Sequence, residues 1–204
     1  MALTNSYATL DEFLSLPEYD SNKPADDVFI ERLLERCSRE FDGDTGHWFY
    51  AHQNTRRYDV PRGRALELDA PLLSVTALTN GDGTNITSDE YRLYPLNGPH
   101  YSEIRLTKVS GVQWLMSNDG DDEGVITVRG AWGYVDRTAT DPESMAPIVN
   151  SRSAVLSLAL SVYKRRFGVG TDGAATITGA GVVITPRDKP LAYLALVELY
   201  RRHL

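Results

Sequence analysis

Gly168-Val169-Gly170-Thr171-Asp172-Gly173 has the Gly-x-Gly-x-x-Gly spacing that lets a backbone approach a pyrophosphate. Such a site needs a strand before the glycines and a helix opening from them, whereas this run follows a helical pattern, so it reads as a flexible loop. Asn118-Asp119-Gly120-Asp121-Asp122-Glu123 gathers hard oxygen ligands of the kind calcium prefers, but without the ligand spacing of an EF-hand. It reads as a solvated turn between two strands. The histidines, His47, His52, His100 and His203, are scattered, and neither a His-x-x-x-His pair nor a cysteine pair completes a metal site. Adjacent carboxylates such as Asp26-Asp27 and Asp121-Asp122 have nothing beside them that would desolvate one and raise its pKa for acid catalysis. No Gly-x-Ser-x-Gly elbow, Walker loop or His-Glu-x-x-His is present. The expectation is a protein that is not an enzyme and carries no cofactor and no metal.

Charge narrows the partners. The chain has a net charge of −7, so its surface as a whole repels nucleic acid, and sequence-specific reading of DNA would need a concentrated basic patch. Arg56, Arg57, Arg62 and Arg64 form one cluster; Lys164-Arg165-Arg166 and Arg201-Arg202 close helices, where cations complement the negative helix end. The single cysteine, Cys37, lies on an apolar helix face and reads as a buried small hydrophobe. Asp11 and Glu12 interrupt the first apolar cluster, which argues against a secretory signal, and the longest apolar run, 154–163, is far short of the roughly 20 residues of a bilayer span. A soluble protein made in a cytoplasm, with no membrane partner, is expected.

The elements are set by periodicity. Thr9-Leu10-Asp11-Glu12 has the form of a capping box, with Leu10, Phe13 and Leu14 as an apolar stripe and Pro17 as the stop. A second helix is introduced by Pro24, with Asp26 and Asp27 at its positive end, and runs to about Phe41; Ile30, Leu33, Leu34, Cys37 and Phe41 share one face. Gly43 and Gly46 turn the chain, and Trp48, Phe49 and Tyr50 are expected to be buried at the seam between the helices and a β module. Helical spacing then lapses for roughly ninety residues.

Seven short β-rich segments replace it: 58–61, 65–68, 73–79, 91–94, 104–106, 112–116 and 125–129, with Asn80-Gly81-Asp82-Gly83 as a tight-turn signal. Pro61, Pro71, Pro95 and Pro99 fall at their ends. Pro147 opens a long helix that Gly168 ends; the glycine-rich run 168–185 is a loose hairpin or a mobile loop; a final helix starts near Asp188 to Pro190. The fold class expected is α+β, with N- and C-terminal helices (1–54 and 139–204) forming one helical bundle around an inserted antiparallel β domain (55–138), a sandwich or small barrel. Trp114, Trp132, Tyr91, Tyr94, Tyr101 and Tyr134 leave open a second reading, a carbohydrate-binding platform, although both tryptophans are as easily core residues.

In this order the motifs resemble the head-tail connector (adaptor, or head-completion) family of tailed bacteriophages. The resemblance rests on the capped helix at Thr9 to Leu16, on Cys37-Ser38-Arg39-Glu40-Phe41 followed by Thr45-Gly46-His47-Trp48-Phe49-Tyr50, on 125–134 closing the β insert, and on the helix end Tyr163-Lys164-Arg165-Arg166-Phe167-Gly168. The insert departs from the smallest members, which are nearly all helical. The resemblance implies a homo-oligomeric ring, commonly a dodecamer, in the neck of a virion assembled in the host cytoplasm. It implies a portal protein on one side, a tail-completion or tail terminator protein on the other, and non-specific passage of double-stranded DNA through the channel. It also implies that the C-terminal segment grips the portal, here through Ile177, Val182, Val183, Ile184, Leu191, Leu194 and Tyr200. An acidic lumen would let the genome pass without binding its phosphates.

Overall fold

The computed structural model describes residues 6–19, 26–136, 146–167, 176–177, 183–184 and 189–201. The chain divides into two compact units, one made of Met1–His47 with Pro147–Leu204 and the other of Trp48–Ala146.

In the first unit α1 (Leu10–Leu14) starts from the capping box read in the sequence: the Thr9 N–H donates to Glu12 Oε2 at 2.8 Å, and Thr9 Oγ1 accepts from the Glu12 N–H at 3.2 Å. The long helix α2 (Asp27–Thr45) has Asp26 as its N-cap and buries the stripe Ile30, Leu33, Leu34, Cys37 and Phe41. It ends a full turn later than the sequence suggests. Gly43 stays helical because Asp42 and Thr45 are buried with the apolar stripe and Thr45 Oγ1 donates to the Phe41 carbonyl at 2.8 Å; the left-handed stop is Gly46, at φ 74°. Helix α3 (Val149–Phe167) buries Ala154, Val155, Leu158, Ala159 and Tyr163. The last helix, α4 (Leu191–Tyr200), packs on both α2 and α3, and α1 packs on α2 and α3 as well. Aromatic edges join them: Phe13 meets Tyr163 at 5.7 Å and Phe41 meets Tyr193 at 5.8 Å.

Asp42 is buried on α2 beneath the N-terminal segment, where Tyr7 OH donates to Oδ1 at 2.5 Å and the Tyr7 N–H donates to Ser38 Oγ at 3.1 Å. Burial pushes its carboxyl up to about 6, against the Tyr7 hydrogen bond and Arg39, which pull it down. Its folded pKa therefore lies above the ordinary 3.8, so its ionisation costs stability as pH rises through that interval. Asp42→Asn keeps an acceptor for Tyr7 and removes the charge. It is expected to raise stability by about 3 kcal/mol at pH 7 and by close to nothing at pH 3, below both pKa values, read as the difference between urea midpoints of the two chains at each pH.

The second unit holds one antiparallel five-stranded sheet in the order β1-β5-β2-β4-β3, built from β1 (His52–Tyr58), β2 (Ala65–Thr79), β3 (Tyr91–Tyr94), β4 (Tyr101–Leu106) and β5 (Ile126–Trp132). The sheet is open, with β1 and β3 at its edges, so the expected barrel is corrected to a single sheet that does not close. Two of the seven expected segments are one strand. β2 runs through Pro71 because its register shifts between Glu67 and Leu72, and at such an irregularity the missing proline N–H breaks no ladder bond. Leu72 consequently faces Tyr101 of β4 and Trp132 of β5 together.

The segment 58–61 is the exit of β1, and β1 itself is the polar run His52–Tyr58, alternately half-buried and exposed. The segment 112–116 is no strand either: Asn80, nearly fully buried, donates from Nδ2 to the Gln113 carbonyl at 2.9 Å and accepts the Leu115 N–H at 2.8 Å. A side chain here supplies the bonds a ladder would have given. Gly81 is required beside it, since a Cβ there would meet the Leu115 carbonyl oxygen at 2.2 Å. The core of this unit gathers Leu66, Leu72, Leu78, Ile104, Leu106, Trp114, Ile126, Val128 and Trp132.

Candidate functional site

Among the described residues no group of three or more His, Cys, Asp or Glu side chains is placed to hold a metal, and no helix is long and apolar enough to cross a membrane. Cys37 is buried, and burial pushes its thiol up to about 12, which makes it inert as a nucleophile at neutral pH. The aromatic platform does not assemble: Trp132 is fully buried and Trp114 nearly so, each with its indole N–H held by a backbone carbonyl, Asn54 and Arg64 respectively. Of the aromatic run, Phe49 is buried and stacks on Tyr134 at 5.6 Å, but Trp48 remains 41% exposed, edge-on to His52 at 4.3 Å. The expectation that all three would be buried is corrected by that exposure.

What the first unit offers instead is a helix that is apolar on both sides. α4 turns Tyr193 and Val197 inward. Leu191, Leu194, Ala195, Glu198 and Leu199, spaced i, i+3, i+4, i+7 and i+8, form the opposite stripe, and all are exposed, Leu191 at 65% and Leu199 at 66%. A helix with apolar residues all round belongs inside something. Its only charge, Glu198, pairs with Arg201 at 3.3 Å. Next to the start of this stripe a groove of about 680 Å³ is lined by Leu16 after α1, by Leu156, Leu160, Ser153, Ser157 and Ser161 of α3, and by Pro190 and Leu191. The three serines, four apart, lie along one face of α3 and keep that face shallow.

The stripe is held rigidly. Lys189, just before α4, pairs with Glu40 at 2.9 Å and with Asp44, and Tyr193 OH donates to Asp44 Oδ2 at 2.6 Å. Burial pushes the Asp44 carboxyl up, but the hydrogen bonds from Lys189 and Tyr193 outweigh it and hold the pKa below its ordinary value. The pin therefore weakens in acid, as Asp44 takes up a proton.

The expected portal-binding residues are spread over two elements and the chain between them. Ile177 lies in β6 (Thr176–Ile177), which pairs antiparallel with β7 (Val183–Ile184), Ile177 opposite Val183 and Thr176 opposite Ile184. Val182 lies outside the described residues. Leu191 and Leu194 stand together on the exposed stripe, while Tyr200 is half-buried and its hydroxyl accepts from Asn150 Nδ2 of α3 at 2.9 Å. Leu199 completes the stripe and was not among the residues expected. Its spacing of eight from Leu191 was the available signal, hidden because Tyr193 and Val197 make an equally good apolar face.

The chain matches no protein-family model and no curated protein. Among solved structures it is similar over 100% of its length to a chain from the neck of an empty gene transfer agent (GTA) particle computed with C6 symmetry, at 22% identity, a TM-score of 0.57 and 94% coverage of that chain. It is similar in the same way to a chain from the neck of a native GTA particle computed with C12 symmetry, at 21% identity, a TM-score of 0.54, and coverage of 100% of this chain and 93% of that one. A chain from the virion of a native GTA particle gives 22% identity, a TM-score of 0.55, and coverage of 100% and 94%. The fold, helices and insert together, is that of these neck chains.

Proposed function

We propose that this chain is a structural subunit of a virion neck, a head-tail connector whose copies form a ring under the portal and extend the DNA channel. Likeness of fold across the whole chain, insert included, to chains of symmetric neck assemblies carries this reading. The exposed leucine stripe of α4 supports it, because a subunit of an assembly has reason to keep an apolar helix face uncovered until a partner arrives. In this reading the β6–β7 pair and α4 (Ile177, Val182, Val183, Ile184, Leu191, Leu194 and Tyr200) dock on the portal, and the opposite end of the ring receives the tail-completion or tail terminator protein. The ring has twelve subunits, and the net charge of −7 keeps the passing duplex from adhering. The role is structural, without catalysis. The subunit is assembled in the host cytoplasm and resides in the virion neck.

Electron microscopy of the purified protein mixed with its portal, with light scattering of the protein alone, tests this. A ring added coaxially to the portal is the expected result, and failure to join any portal assembly would sink it.

A further inference from the structure

The excursion between β4 and β5 carries three kinds of surface in chain order. Lys108 and Val109 come first, with Val109 98% exposed; Leu115 and Met116 come next, both exposed; the acidic run Asp119 to Glu123 comes last, exposed throughout. With Arg62 and Arg64 of the β1–β2 turn, Lys108 lines a cleft of about 590 Å³ that has no carboxylate in its lining. Arg62 and Lys108 make no ion pair or hydrogen bond with any described residue. The cleft is built rather than incidental: the Arg64 carbonyl accepts from Trp114 Nε1 at 3.1 Å and from the Leu106 N–H at 3.0 Å, while Arg64 Nη1 donates to the Leu106 carbonyl at 3.0 Å.

The acidic run is fixed as firmly. The Val60 N–H donates to the Asp122 carbonyl at 2.8 Å, the Gly124 N–H to Asp59 Oδ1 at 2.7 Å and the Glu123 N–H to Asp121 Oδ1 at 3.1 Å. Two rigid, oppositely charged surfaces, each with an uncovered apolar neighbour, thus belong to one unit and leave each other unpaired.

We propose that the cleft of one copy takes the acidic run of a second copy, with Val109 meeting Leu115 and Met116 between the charges. Each copy then gives its cleft to one neighbour and its acidic run to the other, a head-to-tail contact of the kind that closes into rings. This rests on the ring reading above and names the contact that holds the ring. A second copy fits better than duplex DNA. The acidic run is bonded to Asp59 and Val60, close in sequence to Arg62, so a long polyanion across the cleft would also meet those carboxylates, whereas a compact loop need not. The apolar pair, moreover, finds its counterpart on the same surface of a neighbour and not on a phosphate backbone.

Two charge-reversed chains test the contact, one carrying Arg62→Glu with Lys108→Glu and one carrying Asp121→Lys with Asp122→Lys, all at exposed positions and checked by circular dichroism. Each alone is expected to associate about 100-fold more weakly than the unaltered chain by light scattering. An equimolar mixture is expected to regain even-numbered rings, because reversed cleft then meets reversed loop. Rings formed by either variant alone, or a mixture that stays dissociated while the unaltered chain forms rings, would overturn this contact and leave the ring reading standing. Absence of any assembly by the unaltered chain, alone or with a portal, would overturn both. Salt-dependent binding of a fluorescent duplex that the cleft variant loses while keeping its rings would reassign the cleft to nucleic acid.

Discussion

Leu191→Glu combined with Leu194→Glu is expected to abolish joining of the protein to a portal ring while leaving the free protein's thermal midpoint within about 2 °C of the original. Both side chains lie on the exposed stripe of α4, so neither substitution buries a charge in the free chain. In an assembly that covers the stripe, two carboxylates would be desolvated without partners, a cost of several kcal/mol, so an affinity loss of about 100-fold or more is expected. The measurement is co-sedimentation with portal rings beside a melting curve. Unchanged co-sedimentation would remove the stripe from the docking surface, and a large fall in the midpoint would show that the leucines support the fold instead.

Trp132→Ala is expected to cost about 4 kcal/mol, in the usual range for a fully buried aromatic residue. The indole is fully buried at the end of β5, donates to the Asn54 carbonyl at 3.2 Å, stacks near Tyr58 at 6.5 Å and carries the Arg56 guanidinium 4.9 Å above its ring. Losing it leaves a cavity between β1, β5 and the bend of β2, and takes away the cover that Arg56 and Tyr58 share. Since domains are stable by only about 5–15 kcal/mol, the β unit is expected to lose much of its cooperativity. Trp132→Phe should cost about 1–2 kcal/mol, keeping the packing and losing the hydrogen bond. Amide exchange read by mass spectrometry should rise within 48–146 in the alanine variant; a rise confined to the helical unit would contradict this placement.

Where the sequence was informative, one physical signal dominated. The capping box at Thr9 and Glu12, the apolar stripe of α2 and the left-handed glycine at 46 each name their own geometry, and the structure has them where the residues put them. Local signals failed where a distant side chain decided. Asn80 draws 113–115 out of any ladder, and the polar strand His52–Tyr58 exists because β5 supplies its partner, not because His, Gln, Asn and Arg favour extension. Pro71 looked like a strand end and lies in an irregularity of one long strand. The exposed stripe of α4 was half legible: Leu191 and Leu194 carry the helical spacing, but which of α4's two apolar faces turns outward depends on Tyr193 reaching Asp44 and Phe41, far earlier in the chain. The resemblance to head-tail connectors, drawn from the order of motifs, agrees with the fold of the neck chains.

The interruption of the helical unit by the β unit also sets a timetable for synthesis. α2 leaves the ribosome with most of Ile30, Leu33, Leu34 and Phe41 uncovered, and α3 and α4, which complete the packing on it, emerge only after about 100 residues of insert. At typical elongation speeds of about 5–20 residues per second that is on the order of 5–20 s, ample for the insert to fold first. The nascent chain thus passes through a stage in which one unit is native and the other is only α1 and α2 with an uncovered apolar face, the stage at which a chaperone would matter most.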